Sequence, residues 1–336
     1  MAHALSHTKG RFAFGQTYRV AVASILFLAA YRVSTVVAPR VAAPGVWTWR
    51  ELSVALPKSI RVYEGDSVGA QGEPFHAWRV EVDTADKNLK AIPFVSNAAS
   101  GREPASTQAQ QAKALVAVNG GYFDMVGTPA KTYSLVLQNG KILRENIGLV
   151  HRGARQYFVT RSALGVDKDG KFSIAWIHHH DGKIYQFENP LSFVTGKAAP
   201  AVEYSREWNV ENAIGGGPRL IQNGREKITY QEEVFFGAGF PDDENYSRCA
   251  VGYTRENKLI FFITDSNPPD NTGLTLHQLA QSLLQLGCVE AMNLDGGGSE
   301  TLVVNGKVLN RPSDGEERPV TSIFAVVDAR NQKGNN

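Results

Sequence analysis

Cysteine is scarce in this 336-residue chain: Cys249 and Cys288 are the whole complement. Two thiols cannot build a disulfide framework or a four-thiolate zinc site, so both are expected as core thiols. A dominant charge is also missing. Thirty-five Lys and Arg face 33 Asp and Glu, a formal net charge of +2. Nucleic-acid binding usually leaves a larger basic excess, so no nucleic-acid partner is expected. No apolar run reaches the roughly 20 residues of a bilayer-spanning helix; the stretch Val20–Tyr31 is stopped by Arg32. A multi-span membrane protein is therefore excluded. Two catalytic signatures are absent as well. The segment GGGSE lacks the Lys-Ser/Thr pair of a phosphate-binding P-loop, and no GxGxxG opens a helix. Ser299 follows glycines without an evident His partner, so serine hydrolysis is not expected. With 43% hydrophobic and 20% charged residues, the chain has an ordinary globular composition.

The amino terminus reads as a targeting segment. Lys9, Arg11 and Arg19 precede the apolar stretch, and no cysteine is present for lipid attachment. Residues 1–37 are expected to be a signal peptide or an N-terminal membrane anchor; if Arg32 snorkels, Val20–Val37 could span. Either route predicts an exported protein, periplasmic or anchored facing the extracytoplasmic side, touching membrane only through this segment. Residues 38–59, with Pro39, Pro44, Gly45 and Pro57, read as a linker. The folded body is expected over 60–330, with a disordered tail at 331–336.

Within the body, β signals dominate. Asn-Gly pairs at 139–140, 223–224 and 305–306 each sit between apolar runs, the strongest short hairpin signal. Asp169-Gly170 and Asp181-Gly182 mark two further turns. A helix is expected over Thr275–Gly287, with Leu276, Leu279, Ala280, Leu283 and Leu284 on one face, a Thr275/Gln278 capping box and a terminal Gly287. A second is expected over Ser106–Ala114. The predicted fold is α+β: a single catalytic domain with a large mixed, mostly antiparallel sheet system and a few packed helices.

Glycine, with 32 residues, is clustered where apolar strands end: NGGYFD (119–124), GGGPRL (215–220) and NLDGGGSETL (293–302). RCAVGYT (248–254), FFITDSN (261–267) and PSDGEERPVTS (312–322) complete the set. Glycine runs at strand ends bring several backbone N–H donors together and suit anionic oxygens. A shared ligand site is the expectation. The GGGP turn contributes Gly216 and Gly217. His178, His179 and His180 alternate faces on a strand and do not make a metal site. The acidic loop Asp242, Asp243 and Glu244 lacks EF-hand spacing, so it is read as solvated, with weak divalent-cation binding as its only metal option. No cofactor is required.

In this order, the motifs resemble those of the phosphodiester glycosidase family over about residues 60–328. The resemblance implies hydrolysis of a sugar 1-phosphodiester, releasing the sugar and leaving a phosphomonoester. Bacterial members are often called exopolysaccharide-biosynthesis proteins. Positions matching the family motifs are Asn119, Gly120, Gly121, Arg248, Asp265, Asn293, Asp295, Gly296, Gly297, Gly298, Ser299 and Arg318. Chemistry distributes roles among them. Expelling a phosphomonoester needs little general-acid help, because it is already a stable anion. The site needs cationic or N–H donors and a carboxylate. Arg248 and Arg318 are the phosphate candidates, aided by the amides of Gly296–Gly298. Asp265 and Asp295 are the carboxylates, with no order of roles between them. Asn119 and Asn293 would bind sugar hydroxyls, and Tyr122 would stack on a sugar face. One departure stands out: family members tend to have Glu where this chain has Gln278. The leading expectation is an exported hydrolase acting on a phosphodiester-linked saccharide of the envelope or of exopolysaccharide. The alternatives are a non-catalytic carbohydrate-binding protein with the same pocket, and a metal-dependent phosphodiesterase that cuts P–O.

Overall fold

Strand alternation organises the chain. In Leu259–Thr264, Leu259, Phe261 and Ile263 enter one buried cluster, while Ile260 and Phe262 enter another. In Ser322–Asp328, Phe324 and Val326 face the first cluster, and Ile323, Ala325 and Val327 face a third. Side chains with a period of two feed two cores only if the sheet is covered on both faces. A computed structural model describes residues 44–191 and 202–332, all within one unit, Val41–Asn336. The expected signal peptide or anchor lies outside the described residues.

Three main sheets surround the central core. An eight-stranded sheet runs Thr48–Leu52, Ile60–Val68, Pro74–Val82, Leu259–Thr264, Arg248–Thr254, Cys288–Asn293, Arg219–Gln222, Arg225–Glu226 in spatial order. A seven-stranded sheet is built around Arg161–Val166 and Asn212–Gly215. A five-stranded sheet has Ala114–Asn119 and Ser322–Asp328 side by side. Each strand pairing among the described residues is antiparallel, so the sheet system is not mixed. Helix α1 (Ala105–Gln111) covers the outer face of the five-stranded sheet, and α2 (Leu276–Gln285) that of the eight-stranded one.

The local signals act as expected. Asn139-Gly140, Asn223-Gly224 and Asn305-Gly306 all have positive φ, the geometry of a type I′ hairpin. Each of the three main sheets ends at one edge in the second strand of one such hairpin. Helix α2 carries its full capping box: Gln278 N donates to Thr275 Oγ1 at 3.1 Å, and Thr275 N to Gln278 Oε1 at 3.0 Å. Gly287 follows with φ +79°. Helix α1 stops earlier than expected, because Lys113 takes a positive φ and turns the chain into the next strand. Cys249 and Cys288 are buried free thiols.

The expected linker is corrected by the structure. Thr48–Leu52 pairs with Ile60–Val68 as an edge strand. Trp47 is 5% exposed, stacks on Trp49 at 5.2 Å and meets Phe262 edge-on. Its indole donates to Ser282 Oγ of α2 at 3.0 Å. Proline and glycine dominate the sequence signal here, yet two large rings bury enough apolar surface to hold the segment. At the other end, Ala329–Gln332 forms a short 3-10 turn, so the fold runs slightly past the expected start of the tail. Trp47→Ala is expected to lower unfolding free energy by about 3–5 kcal/mol in urea denaturation; a change below about 0.5 kcal/mol would restore the linker reading.

Candidate active site where three sheets meet

One strand from each main sheet ends at the same place. Ala114–Asn119 ends in Asn119, Cys288–Asn293 in Asn293, and Asn212–Gly215 at the GGGP turn. Their ends are tied together through backbone groups that left their ladders. Asn119 Nδ2 donates to Asp295 O at 2.7 Å, and Thr301 N donates to Asn119 Oδ1 at 3.2 Å. Gly217 N donates to Asn293 O at 2.7 Å. Tyr122 OH donates to Gly217 O at 2.7 Å and accepts from Asn293 Nδ2 at 2.9 Å. A Cβ on Gly121 would overlap Gly215 O and Ser134 Oγ, so glycine is required where two sheets approach this closely.

The accessible chemistry lies on the loop after Asn293. Asp295 is half-buried, and burial raises its carboxyl to about 6 despite the Ser299 hydroxyl, the Arg318 charge and the Gly296 amide. Arg318 Nη1 donates to Ser299 Oγ at 3.3 Å. The rest of its fork grips Asp314, with Nε to Oδ2 at 2.8 Å and Nη2 to Oδ1 at 3.0 Å. A Cβ on Gly298 would strike both Asp314 and Arg318, so this glycine lets the ion pair lie directly on the loop. The result is a carboxyl that titrates near neutrality beside a held guanidinium, which suits proton transfer and charge stabilisation.

Other candidates serve elsewhere. Asn119 and Asn293 are buried and spend their amides on backbone and on Tyr122, so neither presents its amide to a sugar. Asn293 Oδ1 is buried and without a partner. The Tyr122 ring lies parallel to Phe240 at 5.4 Å, so that face is already stacked. Several loop amides are also engaged: Gly120 on Ser322 O, Gly216 on Ser162 O, Gly297 on Ser247 O, and Gly296 on the Asp295 carboxylate. Arg248, 2% exposed, donates to Leu274 O at 2.8 Å, Glu244 O at 3.0 Å and Pro241 O at 3.3 Å. It binds the acidic loop through its carbonyls, not its carboxylates. Asp265 is buried and accepts from Arg311 N at 2.8 Å and Asn310 Nδ2 at 3.0 Å; burial raises its carboxyl. Asn310 Nδ2 also donates to Glu300 O, so Asp265 supports the chain that follows Ser299 and carries Arg318.

Sequence reasoning missed three charged residues. Glu300, fully buried, accepts from Ser313 N and Oγ at 2.9 and 2.7 Å, while its Oε2 has no partner; burial, with Asp265 nearby, pushes it to about 7. Its place in GGGSETL was visible, but nothing local marked its burial. Glu233, also fully buried, takes bonds from Ser162, Trp176, Arg219 and Thr229 and anchors the GGGP turn. Arg161 is buried beside Phe235, and no sequence motif contained it.

The Asp295 shift has a direct consequence for stability. The folded protein holds this proton to about pH 6, the unfolded chain only to about pH 4. Stability therefore falls as pH rises from about 4 to 6 and stays lower above. Asp295→Asn is expected to raise unfolding free energy by about 3 kcal/mol at pH 8 and to change it little at pH 4. Urea titrations at the two pH values check this, and equal effects at both would contradict the shift.

Comparisons with known proteins bear on the same segment. The model of the family described as phosphodiester glycosidase matches residues 112–327. Human N-acetylglucosamine-1-phosphodiester alpha-N-acetylglucosaminidase is 27% identical over 224 residues, 65% of this chain and 37% of the human protein. The mouse protein is 28% identical over 203 residues, 59% and 33% respectively. The chain thus spans about a third of the length of these relatives. Among solved structures, the catalytic domain of the zebrafish N-acetylglucosamine-1-phosphodiester alpha-N-acetylglucosaminidase, auto-inhibited by its pro-peptide, has a TM-score of 0.56 at 22% identity. It covers 84% of this chain and 88% of that one. A hypothetical protein from Synechocystis has a TM-score of 0.57 at 19% identity, covering 83% and 63%. These two likenesses show a shared fold. The matched segment carries all three strand ends, Asp295 and Arg318, and more than half of the chain: this protein belongs to the phosphodiester glycosidase family.

Proposed function

We propose that this protein hydrolyses the bond between an anomeric sugar carbon and the phosphate of a phosphodiester, releasing free sugar and a phosphomonoester. The observation that carries the reading is the Asp295–Ser299–Arg318 group, in which a half-buried carboxyl raised to about 6 sits by a fixed guanidinium. The C–O bond breaks toward phosphate, which leaves as a stable anion. Positive charge develops at the sugar carbon, and water supplies the new oxygen. Asp295 supplies the carboxylate for that centre or for the incoming water. Arg318 supplies cationic charge on the phosphate side. Asp265, with both oxygens already bonded, acts in this reading as a support of the Asn310–Arg318 loop. Gln278 spends its amide on the cap of α2. A capping role accounts for position 278 without chemistry, which favours the hydrolase over a non-catalytic binding module. The amino-terminal pattern favours an exported enzyme, with an envelope or exopolysaccharide phosphodiester as its substrate.

Turnover decides the matter. Purified protein is to be incubated with UDP-N-acetylhexosamines and methyl-phospho-sugars, and free reducing sugar measured. Wild type is expected to release sugar, and Asp295→Asn to lose at least about 100-fold in rate. Saturable binding without release by wild type would replace the hydrolase with a binding protein. Gln278→Glu is expected to keep the rate within about threefold, as a capping residue should; a gain of tenfold or more would make position 278 part of the chemistry.

A further inference from the structure

Arg318 acts on two carboxylates and grips only one. Asp314 takes its Nε at 2.8 Å and its Nη2 at 3.0 Å. Asp295 makes no ion pair among the described residues, although the Arg318 charge acts on its carboxyl. The Ser299 hydroxyl interacts with both groups: it accepts from Arg318 Nη1 at 3.3 Å and favours ionised Asp295. A guanidinium carries five N–H donors, two of them on each Nη. One N–H of Nη1 therefore stays without a partner among the described residues.

Asp314 sits on a braced segment. Asp265 accepts from Asn310 Nδ2 and Arg311 N at 3.0 and 2.8 Å. Glu300 accepts from Ser313, the residue before Asp314, through N at 2.9 Å and Oγ at 2.7 Å. On the far side, Glu317 accepts from Ser106 N and Oγ at 2.9 and 2.6 Å at the start of α1, and Val320 bridges to Glu103. Glu317 is thus spent on the helix, and Asp314 is the acid that pairs with Arg318. Gly298 leaves room for the pair: a Cβ there would lie 2.1 Å from Asp314 Oδ2 and 2.2 Å from Arg318 Nη2. The other titratable groups facing Asp295 are Tyr122 and Cys249, both pushed up by burial and neutral at pH 7. Arg318 is therefore the one cation that acts on this carboxyl. A direct pair between them would stabilise the carboxylate and pull it back to its ordinary range. It would also turn the guanidinium away from any incoming anion.

We propose that Asp314 is a positioning residue: it holds the Arg318 guanidinium off the Asp295 carboxyl, which leaves that carboxyl unpaired for the sugar side and one Nη1 N–H for a phosphate oxygen. The purpose of the arrangement rests on the phosphodiester reading, but its test reads the carboxyl without turnover. Full-length protein labelled with carbon-13 at its aspartate carboxyls is to be titrated by NMR, with Asp295 assigned as the resonance that Asp295→Asn removes. Wild type is expected to titrate at about pH 6. Asp314→Ala, at an exposed position, is expected to lower this midpoint by about one unit or more, because Arg318 moves to Asp295. Asp314→Glu, which restores the clamp, is expected to stay within about half a unit of wild type. In an Arg318→Gln background, Asp314→Ala is expected to move the midpoint by less than about half a unit, because the cation that would move is gone. An unmoved midpoint in Asp314→Ala overturns the positioning role even if sugar is released, and so does an equal drop without Arg318. A drop that needs Arg318, with no sugar released from any diester, keeps the positioning role and overturns the hydrolase reading.

Discussion

Three sheets meet at one point, and every backbone group released from their ladders there must find a partner away from water. An unpaired buried N–H or C=O costs about as much as a lost hydrogen bond. Asn119 meets this demand from the centre. One side chain donates to Asp295 O and accepts from Thr301 N, which stitches the end of the five-stranded sheet to the loop leaving the eight-stranded one. Tyr122 and Asn293 do the same between that loop and the GGGP turn. The glycines make the approach possible, and the amides make it satisfied. The knot holds the start of the loop bearing Asp295, and the Ser247–Gly297 and Asn310–Glu300 bonds hold the rest.

The charges around the knot divide by whether they have been compensated. Glu233, Asp265 and Arg248 are buried and hydrogen-bonded, and each braces a loop: the GGGP turn, the Asn310–Arg318 segment and the Pro241–Glu244 segment. Arg219 pairs with Glu290 beneath Trp176. Asp295 differs. It is a half-buried carboxyl whose proton is held to about pH 6. Uncompensated charge in a low-dielectric setting is expensive. It tends to persist where a substrate supplies the compensation.

Much of the local structure was legible in the sequence. Asn-Gly pairs gave hairpins, because both residues tolerate φ > 0 and the turn depends on nothing else. The α2 pattern and capping box gave a helix, because its apolar face and its cap are both set within a dozen residues. The glycine motifs pointed to one shared place. Their side-chain neighbours were less legible. Asn119 and Asn293 look like sugar ligands in a sequence, yet both are struts. Asp265 looks as reactive as Asp295, yet its oxygens hold Asn310 and Arg311. Trp47 sat in a stretch rich in proline and glycine, and only its contact with α2, more than 200 positions away, reveals that it is core.

The sequence by itself determined the turns, the helices, the order of the glycine motifs and the family, since each rests on residues close together in the chain. Tertiary structure decided which carboxylate is left half-open, which loop amides are already engaged, and that Arg161 and Arg152 share a cavity. Those properties depend on burial and on partners tens to hundreds of positions away, such as Arg318 and Asp295, or Arg161 and Val234. A residue's identity sets what it can donate or accept; only its packed surroundings decide whether that capacity is already spent.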